Sequence, residues 1–263
     1  MNAPLRLSDF SLAIFDWAGT MVDFGCRAPV EALVTAFGRH GVTLQETAAR
    51  ADMGKAKDVH VRALLARPEV AAAWRAARGA APDEADVARL MGDLGPLMRD
   101  AAGQAARLIP GAAETVADLR RAGLKIASST GYTREMMQPV LVRAAAQGYS
   151  PDHLVCAGET PEGRPSPLMI YKTCVDLGVW PLSRVIKVDD AEAGVAEGRA
   201  AGCFTIGLAA SGNGLGLSER DYLALSADER DRRLAPVRAA LLAAGADRVV
   251  DTVADIPAIF GAD

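Results

Sequence analysis

A charge-free run, Ser11-Leu12-Ala13-Ile14-Phe15, breaks off at Asp16, and Trp17-Ala18-Gly19-Thr20 comes directly after it. A carboxylate delivered by a buried strand to a glycine-bearing loop can act as a nucleophile or as a ligand for a hard cation. Taken alone, such a D-x-x-G-T segment is as readily an Asx turn at a strand end. The same form recurs downstream. Leu124-Lys125-Ile126-Ala127-Ser128-Ser129 ends at Thr130-Gly131, and Val185-Ile186-Lys187-Val188 ends at Asp189-Asp190.

A second group stands apart. Met53-Gly54-Lys55-Ala56-Lys57-Asp58-Val59-His60 places Met53, Lys57 and His60 at i, i+4 and i+7, one face of a helix if the segment is helical. The chain has five lysines against twenty-four arginines. A lysine retained in such a background can do what arginine cannot, namely form a Schiff base with a carbonyl. Isolated, a K-x-K-x-x-H segment is more often a solvated helix face.

Elements that could bring these groups together are legible. Asp152-His153-Leu154-Val155-Cys156 and Phe204-Thr205-Ile206-Gly207-Leu208 read as further strands, with a short edge strand at Arg248-Val249-Val250. Helix-period segments lie between the strands at 112–122, 133–147, 166–177 and 191–201. Strand and helix in alternation predict an α/β fold with a doubly wound parallel sheet, whose ligands bind beyond the carboxyl ends of the strands. The stretch 26–105 shows helical spacing, no strand, and Pro68, Pro82 and Pro96 as punctuation. It predicts a helical cap domain at 25–104, inserted into a core formed by 1–24 and 105–263. Residues 215–263 read as two or three helices beside the edge strand, with no legible function.

Composition narrows the partners. The 263 residues are 50% hydrophobic and 24% charged, with a net charge of -4 and no long block of either sign. Bulk attraction to nucleic acid or to an anionic membrane is therefore not expected. No run of about 18 apolar residues exists to span a bilayer, and the first residues lack an apolar leader segment. Cys26, Cys156, Cys174 and Cys203 form no C-x-x-C pair, which fits reduced thiols in a cytoplasmic protein.

Taken in order, the pieces resemble the haloacid dehalogenase superfamily: Asp16-Trp17-Ala18-Gly19-Thr20 as the first motif, Thr130 before Gly131 as the second, Arg164 before Pro165 as the third, and Asp190 as the fourth. The resemblance implies a Rossmann-like core in which Asp16 attacks phosphorus, Thr130 donates to a phosphoryl oxygen, and Arg164 offsets transition-state charge. It also implies Mg²⁺ shared by Asp16, Asp190 and the Ala18 carbonyl. Phosphatases of the superfamily carry a second Asp two residues after the nucleophile as general acid. Here that position is Ala18.

This departure, with Lys57 in the cap, narrows the resemblance to the phosphonoacetaldehyde hydrolase (phosphonatase) family. Val22-Asp23-Phe24-Gly25, Ala28-Pro29, Met53-Gly54, Thr130-Gly131-Tyr132, Gly163-Arg164-Pro165, Lys187-Val188-Asp189-Asp190, Glu197-Gly198 and Ser211-Gly212-Asn213 also resemble that family. The narrower resemblance implies cleavage of a carbon–phosphorus bond of a small-molecule phosphonate through a Lys57 imine, with His60 moving protons. Met53, Cys26, Gly131 and Tyr132 match positions around that family's substrate, and the expected assembly is a homodimer. Lys55 competes with Lys57 for the imine. Because Gly194 stands where the superfamily's fourth motif often has another acid, Asp189, Glu192 or water remains open as the completion of a metal shell. The alternatives are a phosphate-ester phosphatase or phosphomutase of the same superfamily, and a silent phospho-ligand-binding protein.

Overall fold

The computed structural model describes residues 5–261. Six strands, β1 (Leu12–Phe15), β2 (Lys125–Thr130), β3 (His153–Cys156), β4 (Val185–Asp189), β5 (Phe204–Leu208) and β6 (Arg248–Val250), form one sheet in the order β3-β2-β1-β4-β5-β6. Every pairing is parallel. The pattern of β1 explains its place at the centre. All four of its residues are buried, with Leu12 and Ile14 packing against Ile170 and Cys174 on one face and Ala13 and Phe15 joining the larger core on the other. A strand covered on both sides needs an unbroken apolar run, and this one has it.

Eleven helices accompany the sheet among the described residues. Five lie in the insert: α1 (Ala28–Arg39), α2 (Glu46–Arg50), α3 (Lys57–Ala66), α4 (Pro68–Arg78) and α5 (Glu84–Ala105). The other six are α6 (Ala112–Arg121), α7 (Arg134–Ala145), α8 (Leu168–Leu177), α9 (Glu192–Ala201), α10 (Glu219–Ala224) and α11 (Ala227–Ala244). Local chemistry sets several ends. Pro68 occupies the first turn of α4, Gly79 closes it in the left-handed region, and Asp83 with Asp86 forms a capping box at the start of α5.

Two readings of the insert are corrected. Pro96 does not punctuate; it lies inside α5. Buried Leu90 and Leu94 before it and Met98 and Ala102 after it belong to one packed stripe, whose burial outweighs the roughly 3 kcal/mol that an interior proline costs. Nor is 53–60 a single helix. Asp52 and Gly54 have φ of 62° and 88°, Ala56 is extended, and α3 begins only at Lys57. Left-handed backbone at two nearby positions cannot propagate a right-handed helix, so Met53 and Lys55 sit in a turn.

The two crossings that join the insert to the core are bonded to each other. Ile109 N donates to Met21 O at 2.9 Å, Asp23 N to Arg107 O at 3.3 Å, and Val22 bridges Leu108. No described helix is long and apolar enough to cross a membrane.

Candidate active site

Strand order makes the site. With β2 and β4 on either side of β1, Asp16, Thr130, Asp189 and Asp190 emerge side by side at the carboxyl ends, where the chain reverses direction across the sheet. Asp16 N donates to Val188 O at 3.0 Å. Gly19, at φ +88°, leaves room for Asp190: a Cβ there would lie 2.4 Å from Asp190 Oδ2. Thr20 Oγ1 donates to Asp190 Oδ1 at 3.0 Å and Asn213 N to Oδ2 at 2.8 Å. The Gly-Thr pair behind the first carboxylate thus seats the last one.

Beneath them lies a buried charge network. Arg164 Nη1 reaches Asp16 Oδ1 at 2.7 Å, Nε reaches Glu197 Oε2 at 2.9 Å, and Nη2 donates to Ser129 O at 2.6 Å. Lys187 Nζ, also fully buried, lies 2.9 Å from Asp189 Oδ2 and 3.3 Å from Glu197 Oε2, and donates to Ser129 Oγ at 2.9 Å. Burial pushes the Asp16 carboxyl up to about 6 against the pull of Arg164. The same burial acts on Asp189, but Arg164 and Lys187 outweigh it and hold that carboxyl below its ordinary value. Asp190 is pushed well above its ordinary value by burial and by the charges of Asp16 and Asp189.

That repulsion is a physical reason for a cation. Asp16, Asp189 and Asp190 each offer a carboxylate oxygen within 4.8 Å of the others, and all three are buried. An all-oxygen set suits a hard divalent ion. Around the fourth motif, the structure brings Asp189 to this group, whereas Glu192 is exposed. Gly194 is what admits it: a Cβ at 194 would lie 1.9 Å from Asp189 Oδ2. Ala18 lies on the wall of the same cavity.

The insert covers that cavity, which has a volume of about 20 Å³. Met53, Gly54, Lys57, Cys26 and Pro29 face Asp16, Thr130, Gly131, Tyr132, Arg164 and Asp190 across it. Contact is tight at Gly131, where a Cβ would lie 2.7 Å from Lys55 O and 2.9 Å from Gly54 O. Lys57 is 3% exposed, and its Nζ sits 3.9 Å from Met53 Sδ and 5.5 Å from the Tyr132 ring centroid. Burial, helped by Arg164 and opposed by Cys26 and Asp16, lowers its ammonium to about 8. Burial also holds the Cys26 thiol well above its ordinary value.

Lys55 is different. Its Nζ pairs with Asp52 at 2.5 Å, and its side chain is 31% exposed. It is absent from the cavity wall, as is His60. His60 is wholly buried one turn along α3 from Lys57, with no hydrogen-bond partner on either ring nitrogen. Burial and then the Lys57 charge lower its imidazolium to about 3.

The structure therefore gathers around one cavity every residue that the family resemblance assigns to the site, except His60. It adds Thr20, Ser129, Lys187, Glu197 and Asn213, to which sequence reasoning assigns no role. Lysine in the middle of the apolar run Val185-Ile186-Lys187-Val188 is the one available signal for a buried charge. The others declare themselves only through tertiary contact.

Comparison with known proteins agrees with this geometry. The family model described as haloacid dehalogenase-like hydrolase matches residues 10–202. A phosphonoacetaldehyde hydrolase of Paraburkholderia xenovorans is 46% identical over 248 residues, covering 94% of this chain and 93% of that protein. One from Syntrophobacter fumaroxidans is 45% identical, covering 94% and 89%. The crystal structure of a phosphonoacetaldehyde hydrolase-like protein from Oleispira antarctica superposes with a TM-score of 0.94 at 37% identity, covering 98% of this chain and 94% of that one. With a carboxylate cluster at the switch point of its six-stranded parallel sheet and these similarities along nearly its whole length, the chain belongs to the phosphonoacetaldehyde hydrolase family of haloacid dehalogenase-like hydrolases.

Proposed function

We propose that this enzyme hydrolyses phosphonoacetaldehyde to acetaldehyde and phosphate, with residues 25–104 acting as a cap over a core of 1–24 and 105–263. The observation that carries the proposal is that Lys57, buried and with a lowered pKa, lines the same cavity as Asp16, while Ala18 leaves no acid to protonate a leaving oxygen.

A carbanion is too basic to leave phosphorus unaided. Neutral Lys57 attacks the aldehyde, and loss of water gives an iminium conjugate to the carbon–phosphorus bond. Asp16 attacks phosphorus, with Arg164 holding Oδ1 and leaving Oδ2 to form the new bond. The bonding pair flows into the iminium, which becomes an enamine, and phosphate is left on Asp16. Protonation of the enamine carbon restores an iminium whose hydrolysis frees acetaldehyde and Lys57, and water releases phosphate from Asp16. Thr130 donates to the phosphoryl group, Arg164 and Lys187 balance the buried negative charge, and Met53, Gly131, Tyr132 and Cys26 shape the space around the aldehyde. His60, neutral and one turn along α3 from the amine, relays protons during imine formation and hydrolysis by giving up its N–H as its other ring nitrogen takes a proton, without resting as an imidazolium.

Asp16, Asp190, the Ala18 carbonyl and Asp189 would hold Mg²⁺, which supplies charge neutralisation between the nucleophile and the phosphonate. In our reading the chain works as a cytoplasmic homodimer. All four cysteines are free and buried, and Val175 and Trp180, at 79% and 82% exposure, offer an apolar surface beside α8. Sedimentation equilibrium checks the assembly.

Phosphate release from phosphonoacetaldehyde, measured beside a generic phosphate ester such as p-nitrophenyl phosphate, tests the assignment. Turnover of the ester in preference to the phosphonate overturns it in favour of a phosphatase.

A further inference from the structure

Arg50 ends α2 of the insert, three residues before Met53 and seven before Lys57, yet its side chain is spent on the core. Its Nη1 donates to Gly25 O at 3.0 Å and to Asn213 Oδ1 at 3.2 Å, and its Nη2 to Gly216 O at 3.2 Å. Asn213 returns the contact, donating from Nδ2 to Arg50 O at 3.0 Å. The backbone is fitted around this guanidinium. Gly216 has φ of 68°, and a Cβ there would lie 2.7 Å from Arg50 Cζ. Gly25, on the crossing between core and insert, is held by its own N–H to Ser211 O at 2.7 Å. The same Asn213 that grips Arg50 through its side chain grips Asp190 Oδ2 through its backbone N–H at 2.8 Å, and a Cβ at Gly212 would lie 2.4 Å from Asp190 Cβ.

We propose that Arg50 and Asn213 form a latch that makes the seating of the Lys57 segment depend on the loop that seats Asp190. No other described side chain of the insert combines a side-chain pair and backbone contacts to both the crossing and the loop after β5. A planar five-donor fork is the group that can serve three acceptors at once. When the loop at 211–216 is ordered around Asp190, the acceptors for Arg50 are in place and residues 50–57 lie against Gly131. When the loop is loose, the segment that brings Lys57 to the cavity loses its anchor. Arg50 is thus a positioning residue, standing off the wall of the cavity that Lys57 lines.

The kinetic part of this inference rests on the phosphonoacetaldehyde reading, and the exchange part does not. Amide hydrogen exchange on the full chain, read by mass spectrometry over peptides covering 50–60 and 211–217, is measured with and without Mn²⁺ in wild type, Arg50→Ala, Asn213→Ala and the double variant. In wild type, Mn²⁺ should slow exchange at 50–57 as well as at 211–217. In either single variant, protection at 50–57 should fall at least tenfold and the response of that segment to Mn²⁺ should vanish, while 211–217 still responds. The double variant should be no worse than either single one, because both sever the same link. With phosphonoacetaldehyde, the singles should raise KM about tenfold and lower kcat less. Additive losses, an unchanged Mn²⁺ response at 50–57, or a loosening spread evenly over the chain with a lower thermal midpoint would each overturn the latch. If Arg50→Ala does not fold, Asn213→Ala and Arg50→Lys carry the same comparison. A chain inactive on phosphonoacetaldehyde with the exchange pattern intact would sink the substrate and leave the latch standing.

Discussion

Lys57 must lose a proton before it can attack a carbonyl, so the pH dependence of imine trapping reads its environment directly. An ordinary lysine at 10.5 is neutral about once in 3,000 molecules at pH 7, whereas one lowered to about 8 is neutral about once in ten. The site therefore supplies roughly 300 times more free amine, equivalent to roughly 3 kcal/mol of barrier. Trapping with borohydride and acetaldehyde in metal-free buffer should rise with pH along a limb centred near 8 and place the added mass on the Lys57 peptide. Because burial is the largest cause of the shift, admitting a dipole and water should undo it. Met53→Gln, replacing the thioether 3.9 Å from Nζ, should move the limb toward 10.5. That change would cut trapping at pH 7 by up to about 300-fold and restore most of it by pH 10. Met53→Leu, apolar and of similar volume, should leave the limb near 8.

The same burial has a stability counterpart. The unfolded chain keeps its Lys57 proton to about 10.5 and the folded chain only to about 8, so the fold gains stability as pH rises between those values. Below pH 8 the full penalty stands, on the order of 3 kcal/mol. Lys57→Met should therefore be more stable than wild type at pH 7 while being inactive, and the difference should close by pH 10.5 in urea titrations. A trapping limb at 10.5 in wild type would refute the burial argument, and a label on Lys55 would refute the assignment of the amine.

Asp16→Asn should retain the fold and abolish phosphate release; measurable turnover by the purified variant rules out Asp16 as the nucleophile. Gly194→Asp should weaken Mn²⁺ binding, read by electron paramagnetic resonance, because its Cβ falls 1.9 Å from Asp189 Oδ2. Adding Asp189→Gly should restore at least tenfold of that affinity, and no restoration means that the carboxylate at 189 does not occupy the place reached from 194. Glu197→Gln removes the carboxylate shared by Arg164 and Lys187 and should cost about 3–5 kcal/mol; an unchanged denaturation midpoint contradicts the network. The His60 imidazole, held near 3, should show no protonation by NMR above pH 5, and the stability tied to it should fade as pH drops from 6.5 toward 3.

The fold was legible because the central strands carry their own signals: β1 and β4 are mostly apolar runs that lead into Asp16 and Asp189-Asp190, and β2 ends at Thr130 directly before Gly131. Their order in the sheet placed Asp16, Thr130 and Asp190 together without any knowledge of side-chain packing. The cap was legible only in outline. Helical spacing joined Met53 to Lys57 on paper, but the left-handed Asp52 and Gly54 hold Met53 in a turn, and the two side chains still meet because that turn folds back over the start of α3. Lys55 avoids the cavity for the same reason, through its pairing with Asp52 rather than through a helical rotation.

What the sequence concealed is the balance of charge. Four buried acidic residues, Asp16, Asp189, Asp190 and Glu197, share the basic partners Arg164 and Lys187, with Lys57 close by. A protonated Lys57 would be one more balancing charge, and the site instead lowers its pKa. The excess of negative charge then has to be met by something other than the catalytic amine, and this is the physical reason to expect a divalent ion beside Asp190. On that account, chelation should raise the apparent pKa of Lys57. With the ion gone, the uncompensated carboxylates favour the ammonium, and the trapping limb should move up to about 8 from a lower value in the ion-loaded protein. A limb that stays put after chelator treatment would mean that the cluster is neutralised by its own protons, with Asp190 protonated and no cation required.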